Sequence, residues 1–262
     1  MLLSRLHQGD SPLIVSVPHA GRHVPDAIAL RMTPDGRALP DTDWHVDSLY
    51  DFAPATGATF VVATHSRYVV DLNRDPSGAA LYPGADNTEL CPTRTFANHA
   101  IYVRGETPSE CEIAARRATF FDPWHARLAD EIRRVHARHG YALLLDGHSI
   151  AAEVPRFFAG RLPDLNLGTA DGRSCAPSLA ALATRVLEGA KRFTHVIDGR
   201  FKGGYLTRHF GAPDERVHAL QLEMVQDCYM DESQPERYDP ARAASIVALL
   251  ERLVIALSEW RP

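Results

Sequence analysis

The sequence has little of what would place it in a membrane, in a secreted disulfide scaffold or on nucleic acid. It holds four cysteines, Cys91, Cys111, Cys175 and Cys228, far apart and with no CxxC pair. That spacing excludes a cysteine-rich zinc site and a disulfide framework, and fits a reducing cytoplasm. No apolar run approaches the roughly 20 residues that span a bilayer. Residues 1–7 lack the apolar core of a secretory signal. The net charge of −5 leaves no basic footprint for nucleic acid. There is no internal repeat, no linker-like stretch, and no GxSxG turn to present a nucleophilic serine. These absences leave a cytoplasmic protein whose partner is a small molecule.

What is present is ordinary in bulk. A chain of 262 residues, 45% hydrophobic and 23% charged, predicts one large α/β domain spanning 1–262. The unusual residue is histidine, with thirteen copies. Their number matters less than the positions of His19, His45, His148 and His209.

The central stretch is Leu143-Leu144-Leu145-Asp146-Gly147-His148-Ser149, an apolar run that reads as a buried strand stopped by a polar turn. A histidine at that tip, beside an aspartate able to hold its ring, has the chemistry of a metal ligand or a base. Leu13-Ile14-Val15-Ser16-Val17 repeats the arrangement, with Pro18-His19 at its end. Between them, Asp41-Thr42-Asp43-Trp44-His45-Val46-Asp47 opens a helix in which Val46, Leu49, Tyr50 and Ala53 recur at helical spacing. Capping of the helix by Asp41, Thr42 or Asp43, and the helix dipole, account for part of this acidity. Three aspartates and a histidine in seven residues exceed that need, so Asp43, Asp47 or His45 can supply a ligand.

Further strands are expected at Thr59-Phe60-Val61-Val62-Ala63 and Tyr68-Val69-Val70, the latter ending in Asp71-Leu72-Asn73-Arg74. Arg67, Asn73 and Arg74 around one strand end make an anion-binding corner, because guanidinium presents a fork of donors that matches a carboxylate. Residues 77–108 are an irregular wall or lid. Residues 110–138 form a long helix interrupted near Asp122-Pro123. Strands near Leu165-Asn166-Leu167-Gly168 and Val196-Ile197-Asp198 follow, with a helix over 178–190 between them. Lys202-Gly203-Gly204-Tyr205-Leu206-Thr207-Arg208-His209 is a loop whose glycines permit close approach to a ligand. Glu223 ends the apolar run of a last strand, as an edge residue or a general base, and residues 240–259 form an amphipathic helix. Helix alternating with strand argues for a parallel or mixed sheet with helices on its faces.

In order, Ser16-Val17-Pro18-His19-Ala20-Gly21, Asp41-Thr42-Asp43-Trp44, Arg67 with Asp71-Leu72-Asn73-Arg74, Asp146-Gly147-His148-Ser149, Lys202-Gly203-Gly204-Tyr205-Leu206-Thr207-Arg208 and Gln221-Leu222-Glu223-Met224 resemble the N-formylglutamate amidohydrolase family of histidine degradation. The resemblance, from residue 16 to 224, extends to zinc-dependent exopeptidases and aspartoacylases, and implies a single three-layer α/β/α domain around a mixed, mostly parallel sheet. It implies one zinc ion, or another divalent metal, on His19 and His148, with Glu223 as the base that activates water. It implies that Arg67, Asn73 and Arg74 bind a substrate carboxylate, while the separate glycine-containing loop would bring Lys202, Tyr205 and Arg208 to the substrate. The exopeptidase pattern has a glutamate three residues after its first histidine, where this chain has Arg22. The third ligand is therefore assigned to Asp43, with Asp47 behind it. The implied reaction is hydrolysis of N-formyl-L-glutamate to L-glutamate and formate. The rivals are another N-acyl amino acid amidohydrolase or carboxypeptidase, a Ser149 nucleophile, and a non-catalytic module for acidic ligands.

Overall fold

The computed structural model describes residues 2–81, 84 and 86–262. Seven strands form one sheet: β1 (Ser4–His7), β2 (Leu13–Val17), β3 (Thr59–Ala63), β4 (Ala142–Ile150), β5 (Leu165–Gly168), β6 (His195–Ile197) and β7 (Val217–Val225). Their spatial order is β1-β3-β2-β4-β7-β5-β6. The pairs β3–β2, β2–β4, β4–β7 and β5–β6 are parallel, while β1–β3 and β5–β7 are antiparallel. The sheet is thus mixed and mostly parallel, as the alternation of strand and helix predicts. β2, β3 and β4 are buried along their whole length, which is why they read as continuous apolar runs rather than alternating ones.

The helices are α1 (Asp26–Ala29), α2 (Pro34–Arg37), α3 (Val46–Leu49), α4 (Glu110–Arg116), α5 (Asp122–His139), α6 (Pro177–Glu188), α7 (Tyr205–Phe210) and α8 (Pro240–Glu259). α8 buries seven side chains, including Ile246, Leu249, Leu250, Leu253 and Leu257, against one face of the sheet. At about 1.5–3 kcal/mol per fully buried aliphatic side chain, this face contributes heavily to stability. Asp239 caps α8 through the backbone N–H groups of Ala241 and Arg242. The opposite face is covered by α5 through Trp124, Leu128, Ile132 and Val135. No described helix is long and apolar enough to cross a membrane, and all four cysteines are free.

Four expectations change. β4 does not stop at Asp146 but continues to Ile150, because β7 pairs with it through the same residues. Tyr68-Val69-Val70 is a buried turn, not a strand; Arg116 Nη1 donates to the carbonyls of Tyr68 and Val69 in place of a neighbouring strand. Neither Asp41, Thr42 nor Asp43 caps α3, whose N-cap is His45 in a left-handed conformation with no side-chain cap. Finally, the break in the long helix is a π-turn at Arg117–Phe121, with Pro123 in the first turn of α5, where its missing N–H costs nothing. β1 had no counterpart in the sequence reading.

Candidate metal centre and cleft

Side chains alternate across a strand, so each strand of the sheet has two separate faces. On one face Leu13, Val15, Leu143, Leu145, Leu220 and Leu222 are core. On the other, Ile14, Leu144 and Ala219 are core beneath α5. Toward the carboxyl ends this second face turns polar, with Asp146 and His148 on β4 and Gln221 and Glu223 on β7. Parallel pairing sets His148 directly beside Glu223. Gly147, between the two polar residues of β4, has the ring of Tyr50 against its other side; a Cβ there would lie 2.7 Å from Tyr50 Cε2. A larger residue would push β4 away from α3.

His19 follows β2, and its ring centroid is 4.9 Å from that of His148. Each ring has one nitrogen held by a carboxylate: His19 Nε2 lies 2.8 Å from Asp71 Oδ1, and His148 Nε2 lies 2.8 Å from Asp146 Oδ2. The other nitrogens converge on Asp43, His148 Nδ1 at 2.9 Å and His19 Nδ1 at 3.8 Å from Oδ2. One donor atom from each of the three residues falls within 4.8 Å of the others. Asp43 Oδ1 is buried and makes no hydrogen bond. Two imidazoles oriented by carboxylates and facing a third carboxylate are a donor set that could hold a divalent metal ion.

The acidic stretch resolves into three destinations. Asp41 accepts from Tyr68 Oη at 2.5 Å and from the backbone N–H of Phe96 at 2.9 Å. Asp43 faces the two histidines. Asp47 pairs with Arg5 at the surface, and His45 Nε2 reaches the carbonyl of Pro235. Neither alternative ligand approaches the centre.

Positive charge enters through Arg67, whose Nη2 contacts His19 Nδ1 and lies 3.3 Å from Asp43 Oδ1. Burial, helped by Arg67, lowers the His19 pKa to about 4, so the ring is neutral at pH 7. Burial also works against charge on His148, but the carboxylates of Asp146 and Asp43 outweigh it and hold that ring well above its ordinary value. Burial pushes Glu223 up to about 7, against the opposing pull of His148.

Comparisons with known proteins identify the family. Residues 11–230 match the model of the N-formylglutamate amidohydrolase family. The chain is 45% identical over 253 residues to an N-formylglutamate deformylase of Pseudomonas aeruginosa, covering 97% of this chain and 95% of that protein. The deformylase of Pseudomonas putida is 43% identical over 254 residues, with the same coverage. The chain belongs to the N-formylglutamate amidohydrolase family. Membership makes it a hydrolase of an amide bond. A solved N-formylglutamate amidohydrolase from Ralstonia eutropha has a TM-score of 0.83 at 29% identity, covering 99% of this chain and 98% of that one. A gene product of Agrobacterium tumefaciens shares the fold at a TM-score of 0.71 and 17% identity, covering 98% and 96%.

In this amidohydrolase the centre opens into a cleft. His19, His148 and Glu223 line it together with Arg67, Asn73 and Arg74. Asn73 is tied into the protein: its Nδ2 lies 3.0 Å from His148 Nε2, and its Oδ1 accepts from Leu206 N. Arg74 Nε donates to Thr88 Oγ1 at 2.7 Å. Lys202, Tyr205 and Arg208 are not among the described residues lining the cleft. Lys202 pairs with exposed Asp171, and Tyr205 stacks on His209. Arg208 reaches the carbonyl of Leu81, which is itself part of the wall. The glycine loop approaches through its backbone instead. Gly204 N donates to Gln221 Oε1 at 2.6 Å, and a Cβ on Gly204 would lie 2.2 Å from Asn73 Nδ2. Sequence reasoning missed Asp71, Gln221, Arg200, Phe96, Phe157 and Phe201. The last four lie in or beside irregular segments, where no periodicity marks which side chains face inward.

Ser149, the rival nucleophile, lines the same cleft, but its Oγ is engaged by Tyr229 Oη at 2.8 Å and Gln226 Nε2 at 3.3 Å. No described histidine hydrogen-bonds to it.

Proposed function

We propose that this chain hydrolyses N-formyl-L-glutamate to L-glutamate and formate, with one divalent ion, zinc by preference, held by His19, Asp43 and His148. The convergence of both Nδ1 atoms on the Asp43 carboxylate, with Glu223 beside His148, carries the reading. Nitrogen and oxygen donors suit zinc, and a neutral His19 is ready to coordinate. When bound, such an ion lowers the pKa of water toward about 7 and polarises the formyl carbonyl.

The protein's own groups do the rest. Gln221 Nε2 donates to Glu223 Oε2 at 3.1 Å and fixes the carboxylate's orientation. Glu223 takes a proton from the attacking water and delivers it to the departing amide nitrogen. Arg67, against His19 and Asp43, sets a fixed positive charge at the end of the cleft where the carbonyl oxygen gains negative charge. Arg74 binds a substrate carboxylate, Asn73 braces the corner, and Lys202, Tyr205 and Arg208 support the loop behind it. Residues 1–262 serve as one catalytic domain, placed in the cytoplasm and in histidine degradation.

A formate-release assay on the zinc-loaded protein tests the reading. Chelation should abolish turnover and zinc should restore it, while serine-directed reagents leave it intact. Turnover that survives metal depletion, or that is faster on peptides than on N-formyl-L-glutamate, would overturn it.

A further inference from the structure

Asp43 lies in an irregular segment between β2 and α3, yet it is fully buried and its carboxylate direction is fixed. Strand ladders hold His148 and Glu223, but none holds Asp43. Its flanking carbonyls are caught by the turn that follows β7. Gln226 Nε2 donates to the carbonyl of Thr42 at 2.9 Å, and Tyr229 Oη donates to that of Trp44 at 2.8 Å. Both side chains also meet Ser149 Oγ. Ser149 in turn donates its backbone N–H to Asp43 Oδ2 at 3.1 Å. All six residues are buried, with Tyr229 at 0% exposure.

We propose that Gln226, Tyr229 and Ser149 form a clamp that positions Asp43 for metal coordination. They are positioning residues: none would touch the metal, and each acts through Asp43. This inference rests on the assignment of Asp43 as a ligand. The clamp has a geometric logic. β7 carries Glu223, and the turn directly after it carries Gln226 and Tyr229; β4 carries His148 and, next to it, Ser149. The third ligand is thereby registered against the base and against a histidine ligand at once. His45, two residues after Asp43, sits at φ 62°, a conformation that costs energy for a non-glycine residue and persists only where surroundings hold it. Partners behind a metal ligand set its orientation, and their loss typically weakens binding 10–100-fold.

The test compares Tyr229→Phe and Ser149→Ala with the wild type, by zinc affinity in competition with a chromophoric chelator and by melting of the metal-free and zinc-loaded forms. Each variant should bind zinc at least tenfold more weakly. The rise in Tm on loading should shrink, and kcat should fall with little change in KM. A merely structural contribution would lower both melting temperatures together and leave zinc affinity alone. Wild-type zinc affinity in folded Ser149→Ala would overturn the clamp, and that variant decides the matter if Tyr229→Phe fails to fold. If Asp43→Ala binds zinc as tightly as the wild type, the ligand assignment fails and the clamp falls with it. If only Asp43→Ala loses zinc, the clamp alone is refuted.

Discussion

Replacing Glu223 with glutamine should have opposite effects on two measurable quantities. The substitution keeps the shape and an acceptor for Gln221 Nε2, but removes the proton carrier. Loss of general acid–base catalysis by one group lowers kcat by roughly 10²–10⁴-fold. Stability should move the other way. Burial raises the Glu223 pKa from an ordinary 4.5 to about 7, so the native state holds this proton more tightly than the unfolded chain. Between those values the unfolded state binds fewer protons, and stability falls as pH rises. Above pH 7 the buried charge costs the metal-free protein at most about 3 kcal/mol, at 1.36 kcal/mol per unit. Glutamine has no such cost. Chemical denaturation of metal-free wild type and Glu223→Gln should therefore give similar stabilities near pH 4.5 and a more stable variant at pH 8. Formate release measures the other quantity. A variant with near-wild-type kcat and a raised KM would show that Glu223 binds substrate instead, and identical denaturation curves at pH 8 would refute the burial argument.

Other outcomes follow from the same geometry. Arg74→Lys should lose much of its kcat/KM despite keeping its charge, because an ammonium cannot reproduce the guanidinium fork; formate release by an active variant would remove Arg74 from carboxylate binding. N-formylglutamine should be a much poorer substrate than N-formylglutamate, and equal kcat/KM for the two would show that the second carboxylate has no partner in the cleft. Zinc affinity should weaken about tenfold per unit of falling pH around neutrality. The His148 ring, held charged by Asp146 and Asp43, must lose its proton to coordinate, whereas His19, at about 4, has none to lose. Calorimetry in buffers of different ionisation enthalpy reads this as one proton from His148, with a further fraction from Glu223 near neutrality.

Much of this was legible in the sequence, for identifiable reasons. β2, β3 and the first half of β4 are apolar runs because both of their faces are covered; His19 stands out just past the end of one such run, and His148 and Glu223 stand out where polar residues interrupt a buried strand. The β1 segment, Ser4-Arg5-Leu6-His7, is half-exposed at the sheet edge and antiparallel, so it carries no apolar signature. Tyr68-Val69-Val70 misled because β-branched and aromatic residues report burial as readily as strand geometry. Asp43 could not be separated from Asp41 and Asp47 by spacing. Only tertiary structure sends one to Tyr68, one to the histidines and one to Arg5. The glycines of the 202–208 loop correctly signal close approach, but it is the backbone of Gly204 that approaches, while Lys202 pairs at the surface.

The buried charges explain why metal and base belong together. Asp43, Asp71, Asp146 and Glu223 bring four carboxyl groups to one water-poor end of the cleft, facing the guanidinium of Arg67, that of Arg74 3.9 Å from Asp71, and two imidazoles. Without a metal, protons meet the deficit: the pKa values of His148 and Glu223 are both raised. In that state His148 is a poor ligand, and Glu223 near neutrality is in large part an acid. A divalent ion supplies two charges and displaces one proton from His148, for a net gain of one positive charge beside Glu223. Added positive charge at this range favours the ionised carboxylate. On the proposed assignment, loading the centre would therefore do more than place a Lewis acid. It would also turn Glu223 from a proton-bearing acid into the carboxylate that a general base must be.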